Sequence, residues 1–206
     1  MRELKRMMYL PGSLRNTIAS RKEATMKPTD TLKHEHKIVL AVLDGAEREA
    51  QRIKATGNVD TEKAAKMVDF FRTFVDKCHH SKEERRLFPK LQERGMPGDA
   101  GPIAVMLHEH TLGRAEVGSI ADALKRFQDG DAAAAKDIAQ HLLSYAELLR
   151  NHIDKEDSVL FYFADQILTD SDQEELTKAF DEIEASEIGE GVHEEYHRFA
   201  HELMKH

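Results

Sequence analysis

Imidazoles and carboxylates recur along this 206-residue chain at spacings that suit a metal ion. In KCHHSKEERRLFPKL, residues 77–91, His79 and Glu83 stand four apart, as do His152 and Glu156 in NHIDKEDSVLF. Residues four apart share one face of an α-helix, so each His-x-x-x-Glu offers a nitrogen and a carboxylate oxygen to one point. Two further histidines, His36 in KHEHK and His110 in LHEHT, fall within rows that are otherwise apolar. Imidazole with carboxylate is a donor set for iron, manganese or zinc.

Residues 77–91 double both ligand types, and helical phase selects between the copies. Phe71, Val75, His79, Glu83, Leu87 and Leu91 form one continuous i, i+4 row, whereas His80 and Glu84 continue a polar row from Thr73, Asp76 and Lys77. A neighbour one position away points about 100° elsewhere on an α-helix. The expectation is therefore that His79 and Glu83 face inward, with His80 and Glu84 at the edge or in solvent. The same phase selects His36 over His34 and His110 over His108.

The chain also repeats itself. HHSKEERRLF (79–88) aligns with HIDKEDSVLF (152–161) as H-x-x-K-E-[ED]-x-x-L-F, and HEH at 34–36 recurs at 108–110. Each half thus supplies one histidine on a first helix and one His-x-x-x-Glu on the next. Measured from the turn between the two helices, both elements sit at one level, so His36, His79, Glu83, His110, His152 and Glu156 converge on a single layer. A lone histidine in such a row is ordinarily a hydrogen-bonded core residue. Two ionised carboxylates in an apolar layer are different, because each costs several kcal/mol unless a cation or shared proton compensates.

Long amphipathic helices must carry these residues. Leu32, His36, Val39, Leu43, Ala46, Ala50 and Ile53 mark the seam of a first helix from Thr31 to about Ala55. TGNVD turns the chain into a second, from about Thr61 to Glu93, which RGMPGDAGP breaks. A third carries Ile103, Met106, His110, Gly113, Val117, Ile120, Leu124 and Phe127. QDGD leads to a fourth with Ile138, Leu142, Tyr145, Leu149, His152, Glu156, Val159 and Phe163. The fold class is all-α: an up-down-up-down four-helix bundle with short additional C-terminal helices. SDQEE opens the first of these, and Val192, Tyr196, Phe199 and Leu203 give the last an apolar stripe. The expected organisation is an arm at 1–26, the bundle at 27–168 and packed helices at 169–206.

A net charge of −8 with no concentrated basic surface argues against nucleic acid as a partner. The single cysteine, Cys78, forms no internal disulfide and suits a reducing cytoplasm. No apolar run approaches the roughly 20 residues of a membrane span. MRELKRMMYLPGSLRNTIASRKEAT is basic and lacks a long apolar stretch, which reads as an arm or an upstream extension rather than a targeting peptide.

The pattern H…HxxxE…H…HxxxE over residues 31–168 resembles the hemerythrin-like (HHE cation-binding) family. The resemblance implies a bundle holding two iron ions, a non-haem di-iron centre with an oxo or hydroxo bridge. Such a centre binds or responds to dioxygen, nitric oxide, peroxide or azide-like anions; manganese or zinc are the other metals. Alternatives are an enzyme acting on peroxide or nitric oxide, iron storage, or a zinc-stabilised bundle. Oxygen-carrying members have a second histidine one turn after the third-helix ligand, where this chain has Arg114, and a His-x-x-x-x-Asp where it has His152 and Glu156. The expectation is a near-symmetric site with two histidines per metal and open coordination, which disfavours reversible oxygen storage.

Several residues carry double readings. Gly113, one turn from His110, leaves room either for a small ligand or for close packing. Tyr145 is a core tyrosine or a donor to the site, and Cys78 is a buried thiol. His141 lies too far along its helix for the same centre, and His193, His197 and His201 form a row on a solvated face. Glu35 and Glu109, inside the two HEH elements, either orient neighbouring imidazoles or sit exposed.

Overall fold

The computed structural model describes residues 26–204 apart from 188 and 190, and the expected arm lies outside the described residues except for Met26. Helix α1, Pro28–Thr56, starts with proline at a position whose missing N–H would have no helical partner. It stops at Gly57, whose φ of 69° lets its N–H reach the Ile53 carbonyl. The Asp60 carboxylate accepts the Lys63 N–H at 3.0 Å and starts α2, residues 61–93. Helix α3 spans Gly101–Gln128 and α4 spans residues 134–167. Asp170–Glu187 form α5 and Val192–Leu203 form α6.

Helices α1 to α4 make the up-down-up-down bundle, with α4 packed along both α1 and α3, and there is no strand among the described residues. No helix among them is long and apolar enough to cross a membrane.

Two of the four rods are not uniformly α-helical. In α2, π-helical backbone covers Phe71–His80 and Glu83–Leu87; in α4 it covers Glu156–Leu160. A π turn bonds i to i+5, so the helix winds more slowly and its facing row shifts. One consequence corrects the expected seam of α4: Val159 and Phe163 are 42% and 48% exposed. Leu160, Phe161 and Ala164 are buried in their place.

The interior is two apolar clusters with a polar layer between them. One holds Val39, Leu43, Phe71, Phe74, Ile120, Ile138 and Leu142. The other, at the opposite end, holds Leu32, Leu87, Phe88, Ile103, Leu160 and Phe161. The C-terminal helices close one cluster each. Leu176 and Phe180 of α5 enter the second cluster; Tyr196, Ala200 and Leu203 of α6 enter the first.

The start of α5 is pinned by a reciprocal cap, in which Asp172 accepts the Thr169 N–H at 2.8 Å and Thr169 Oγ1 accepts the Asp172 N–H at 3.2 Å. Arg94 donates to both oxygens of the same carboxylate at 2.8 and 2.7 Å. On α1, Gly45 allows α6 to approach: a Cβ there would stand 2.9 Å from Leu203 Cδ1. Helix α5 has 18 residues, longer than the short helix expected.

Candidate metal centre

The π-helical stretch of α2 decides which histidines face inward. Because Phe71–His80 winds more slowly than an α-helix, adjacent side chains stay closer in direction, and His79 and His80 both enter the interior. His80 is only 4% exposed, against the expectation that it lies at the edge or in solvent. Its ring stacks on His110 with centroids 3.8 Å apart. Glu84 does lie at the edge, partly buried, where it accepts from His110 Nδ1 at 2.7 Å.

The six expected residues come together with His80 as a seventh. Two groups form, each with ligand atoms within 4.8 Å of one another: His36, His79, Glu83 and Glu156, and His80, Glu83, His110 and His152. The groups contain two histidines and three, where the expectation was two for each metal.

Both carboxylates reach across the layer. Glu156 Oε2 lies 3.2 Å from His36 Nε2 and its Oε1 lies 3.3 Å from His152 Nε2. Glu83 Oε1 lies 3.7 Å from His79 Nε2 and its Oε2 lies 3.4 Å from His110 Nε2. None of the four oxygens makes a hydrogen bond, and neither does either nitrogen of His80. Buried polar groups are otherwise nearly always paired, so six such atoms in one layer fit a site for a cation.

Outside the layer, carboxylates fix the rings. Nδ1 of His36 donates to Asp157 at 2.8 Å, Nδ1 of His79 to Glu35 at 2.8 Å and Nδ1 of His152 to Glu109 at 3.1 Å. With Glu84 on His110, four histidines have Nδ1 held by an acceptor, which turns Nε2 inward: the Nε2 atoms of His36 and His79 lie 3.0 Å apart and those of His110 and His152 3.1 Å apart. His80 is the exception, since Asp76 Oδ1 stands 3.6 Å from its Nδ1. Lysines then neutralise two of the orienting carboxylates: Lys82 donates to Glu35, and Lys155 to Glu109.

The repeat acquires a physical meaning here. In each H-x-x-K-E-[ED]-x-x-L-F, the lysine holds the glutamate of its own half's HEH. The first acid enters the centre, and the second orients the opposite half's HEH histidine. The phenylalanine lies parallel to that same histidine: Phe161 against His36 at 5.6 Å and Phe88 against His110 at 6.0 Å. The halves differ at His80, whose counterpart is Ile153, and at Asp76, whose counterpart is Leu149. The long π stretch is likewise confined to the first half.

The buried charges of the layer act against one another. Burial, and then the charge of Glu156, push the Glu83 carboxyl well above the carboxylate range. Burial acts on Glu156 in the same direction, but His152 and His36 outweigh it and hold that carboxyl well below the range. His36 is held up at about 10: burial opposes its charged form, and Asp157 and Glu156 prevail. Burial and the neighbouring His110 drive His80 well below an ordinary imidazole. The layer thus holds protons that a bound dication would displace.

Other candidates fall outside. Glu35, Cys78 and Glu184 cluster, but Lys82 already supplies their cation. Burial pushes the Cys78 thiol up to about 12, so it stays protonated. His34 and His108 are exposed, as helical phase requires. His141 donates to Glu116 at 2.8 Å, away from the centre. His197 faces His34 across the surface at 5.8 Å between centroids, and the side chain of His193 lies outside the described residues. Arg114 is paired with Asp76 and Glu84, each at 2.7 Å.

The comparisons with known proteins agree with this geometry. The family described as the hemerythrin HHE cation binding domain matches residues 27–164. An uncharacterized protein of Mycobacterium bovis and two of Mycobacterium tuberculosis are each 22% identical to this chain over 180 residues, covering 87% of it and 70% of their own length. No solved structure gives a match. With residues 27–164 matched and a buried layer of histidines and glutamates built for a cation, the chain belongs to the hemerythrin HHE cation-binding family.

Proposed function

We propose that the protein holds two metal ions, iron in the cell, and uses them to bind or respond to a small oxidant such as dioxygen, nitric oxide or peroxide. His36, His79, Glu83 and Glu156 would hold one ion, and His80, Glu83, His110 and His152 the other. The observation that carries the reading is the six orphaned atoms on His80, Glu83 and Glu156, fully buried among histidines whose outer nitrogens are already engaged. A redox-active pair there would supply the electrons or the binding positions that a diatomic molecule or peroxide needs.

The chain's own part is preorganisation. Glu35, Glu84, Glu109 and Asp157 keep the rings aimed, so little reorganisation accompanies metal binding. Phe88 and Phe161 close the layer on one side against water. The share of donors favours an open position on the ion held by His36 and His79, which has one imidazole fewer.

The test is elemental analysis and a visible spectrum of protein produced with iron, taken without air and then in air, followed by azide. Two iron ions per chain, with an absorption that azide shifts, support the reading. A colourless protein holding zinc, or an iron form that azide and peroxide leave unchanged, would refute it.

A further inference from the structure

A cavity of 460 Å³ opens between α2, α3 and α4 and ends at His80. Its inner wall is Phe71, Gly113, Val117 and Tyr145, and its rim carries Arg72 and Lys77. The volume falls in the range of small-molecule sites and exceeds what a diatomic molecule requires. At the bottom stands an imidazole 4% exposed with neither nitrogen hydrogen-bonded. Two glycines keep the space clear. A Cβ on Gly113 would meet only Tyr145, at 3.5 Å, and one on Gly118 would meet nothing within 4 Å.

The charges are distributed unevenly. Asp76 in the wall is paired with Arg114, and Asp69 accepts from the Tyr196 hydroxyl at 2.9 Å. Arg72 and Lys77 are exposed and make no ion pair or side-chain hydrogen bond among the described residues. On a chain of net charge −8, this mouth offers two exposed cations above an apolar wall. That combination matches an amphipathic anion better than a neutral solute or a cation.

We propose that the cavity docks a small organic anion, such as an aromatic carboxylate, with its charged end at Arg72 and Lys77 and its apolar end against Phe71, Tyr145 and His80. The site extends the metal-centre reading by naming a ligand class. It rests on that reading only where it sets the apolar end beside a metal-holding histidine.

The probe is para-fluorobenzoate, with para-fluorobenzyl alcohol as its uncharged match, titrated into the full-length iron-loaded protein by fluorine NMR. The metal content of each sample is measured alongside. Expected are saturable binding of one benzoate per chain, weaker binding of the alcohol, and about tenfold loss for benzoate alone in Arg72→Glu/Lys77→Glu, from two exposed ion contacts. Gly113→Leu, which fills the inner space, abolishes binding of both probes. Gly118→Phe blocks the mouth from an open position, so the cavity is tested even if the leucine variant fails to fold. No saturable binding, binding that survives Gly118→Phe, or equal affinity for acid and alcohol would overturn the proposal. Benzoate binding in a protein that takes up no metal would support the docking site while overturning the metal reading; iron without benzoate binding does the reverse.

Discussion

Replacing Glu35 by glutamine in the metal-stripped protein tests whether the network behind the histidines is also a folding element. Glu35 is buried, accepts from His79 Nδ1, and holds Lys82, whose ammonium is wholly buried and is otherwise contacted by Glu184 at 3.2 Å. Burial alone would raise the Glu35 pKa, yet His79 and Lys82 bring it from 4.5 down to about 2. At about 1.4 kcal/mol per pH unit, that difference corresponds to about 3 kcal/mol of stability at neutral pH. Removing one member of a buried ion pair typically costs about 3–5 kcal/mol, and the remaining Glu184 contact places this case at the low end.

Urea unfolding followed by circular dichroism should therefore show Glu35→Gln destabilised by about 3 kcal/mol at pH 7, with an unchanged denaturant slope. Because the folded pKa lies below the unfolded one, the stabilisation is complete above 4.5 and fades as pH falls towards 2. Wild type and variant should accordingly converge in acid. Adding Lys82→Met to the variant should recover much of the loss by removing the stranded charge. Equal stability of wild type and Glu35→Gln at pH 7, or a gap that persists undiminished below pH 2, refutes the reasoning.

Three further outcomes follow from the site and its supports. By elemental analysis, His80→Ala should lose metal as severely as His79→Ala, whereas Glu84→Ala, which removes the acceptor that orients His110, should weaken affinity by about 10- to 100-fold. Loaded protein should outlast the metal-stripped form in thermal or urea unfolding, by about 2.7 kcal/mol when free metal is a hundredfold above the dissociation constant. Gly45→Ala should push Leu203 away and cost about 1–3 kcal/mol. It should hasten proteolysis within α6 while leaving the metal content unchanged.

Much of this molecule is legible in its sequence. Helix-breaking TGNVD, RGMPGDAGP and QDGD place the turns of the bundle, and apolar steps of three and four place His36 and His110 inside it. Glu35 and Glu109 could be named but not assigned, because whether a residue beside an inward histidine reaches a neighbouring helix depends on interhelical distance. The roles of Asp157 and Glu84 are hidden for the same reason, although their places in the repeat, immediately after Glu156 and Glu83, carry a signal.

His80, Val159 and Phe163 depart from expectation for one shared reason, an assumed angular step of about 100° per residue. Where the backbone winds as a π-helix that step is too large, and no residue type in FRTFVDKCHH announces it. The orphaned nitrogens of His80 suggest why the stretch winds so: it brings a fifth imidazole to the layer.

The slow winding of α2 also changes what kind of sequence alteration the site is sensitive to. A π turn is what an α-helix becomes on accepting an additional residue while its two ends stay in place. Removing one residue between Phe71 and Lys77 would let the rod relax to α geometry and swing His80 out, without touching any histidine or glutamate. Chain length within this helix is therefore itself a coordinate of the centre. On the proposed reading, a single-codon deletion there would act as the loss of a ligand, although every histidine and glutamate of the layer stays in the sequence.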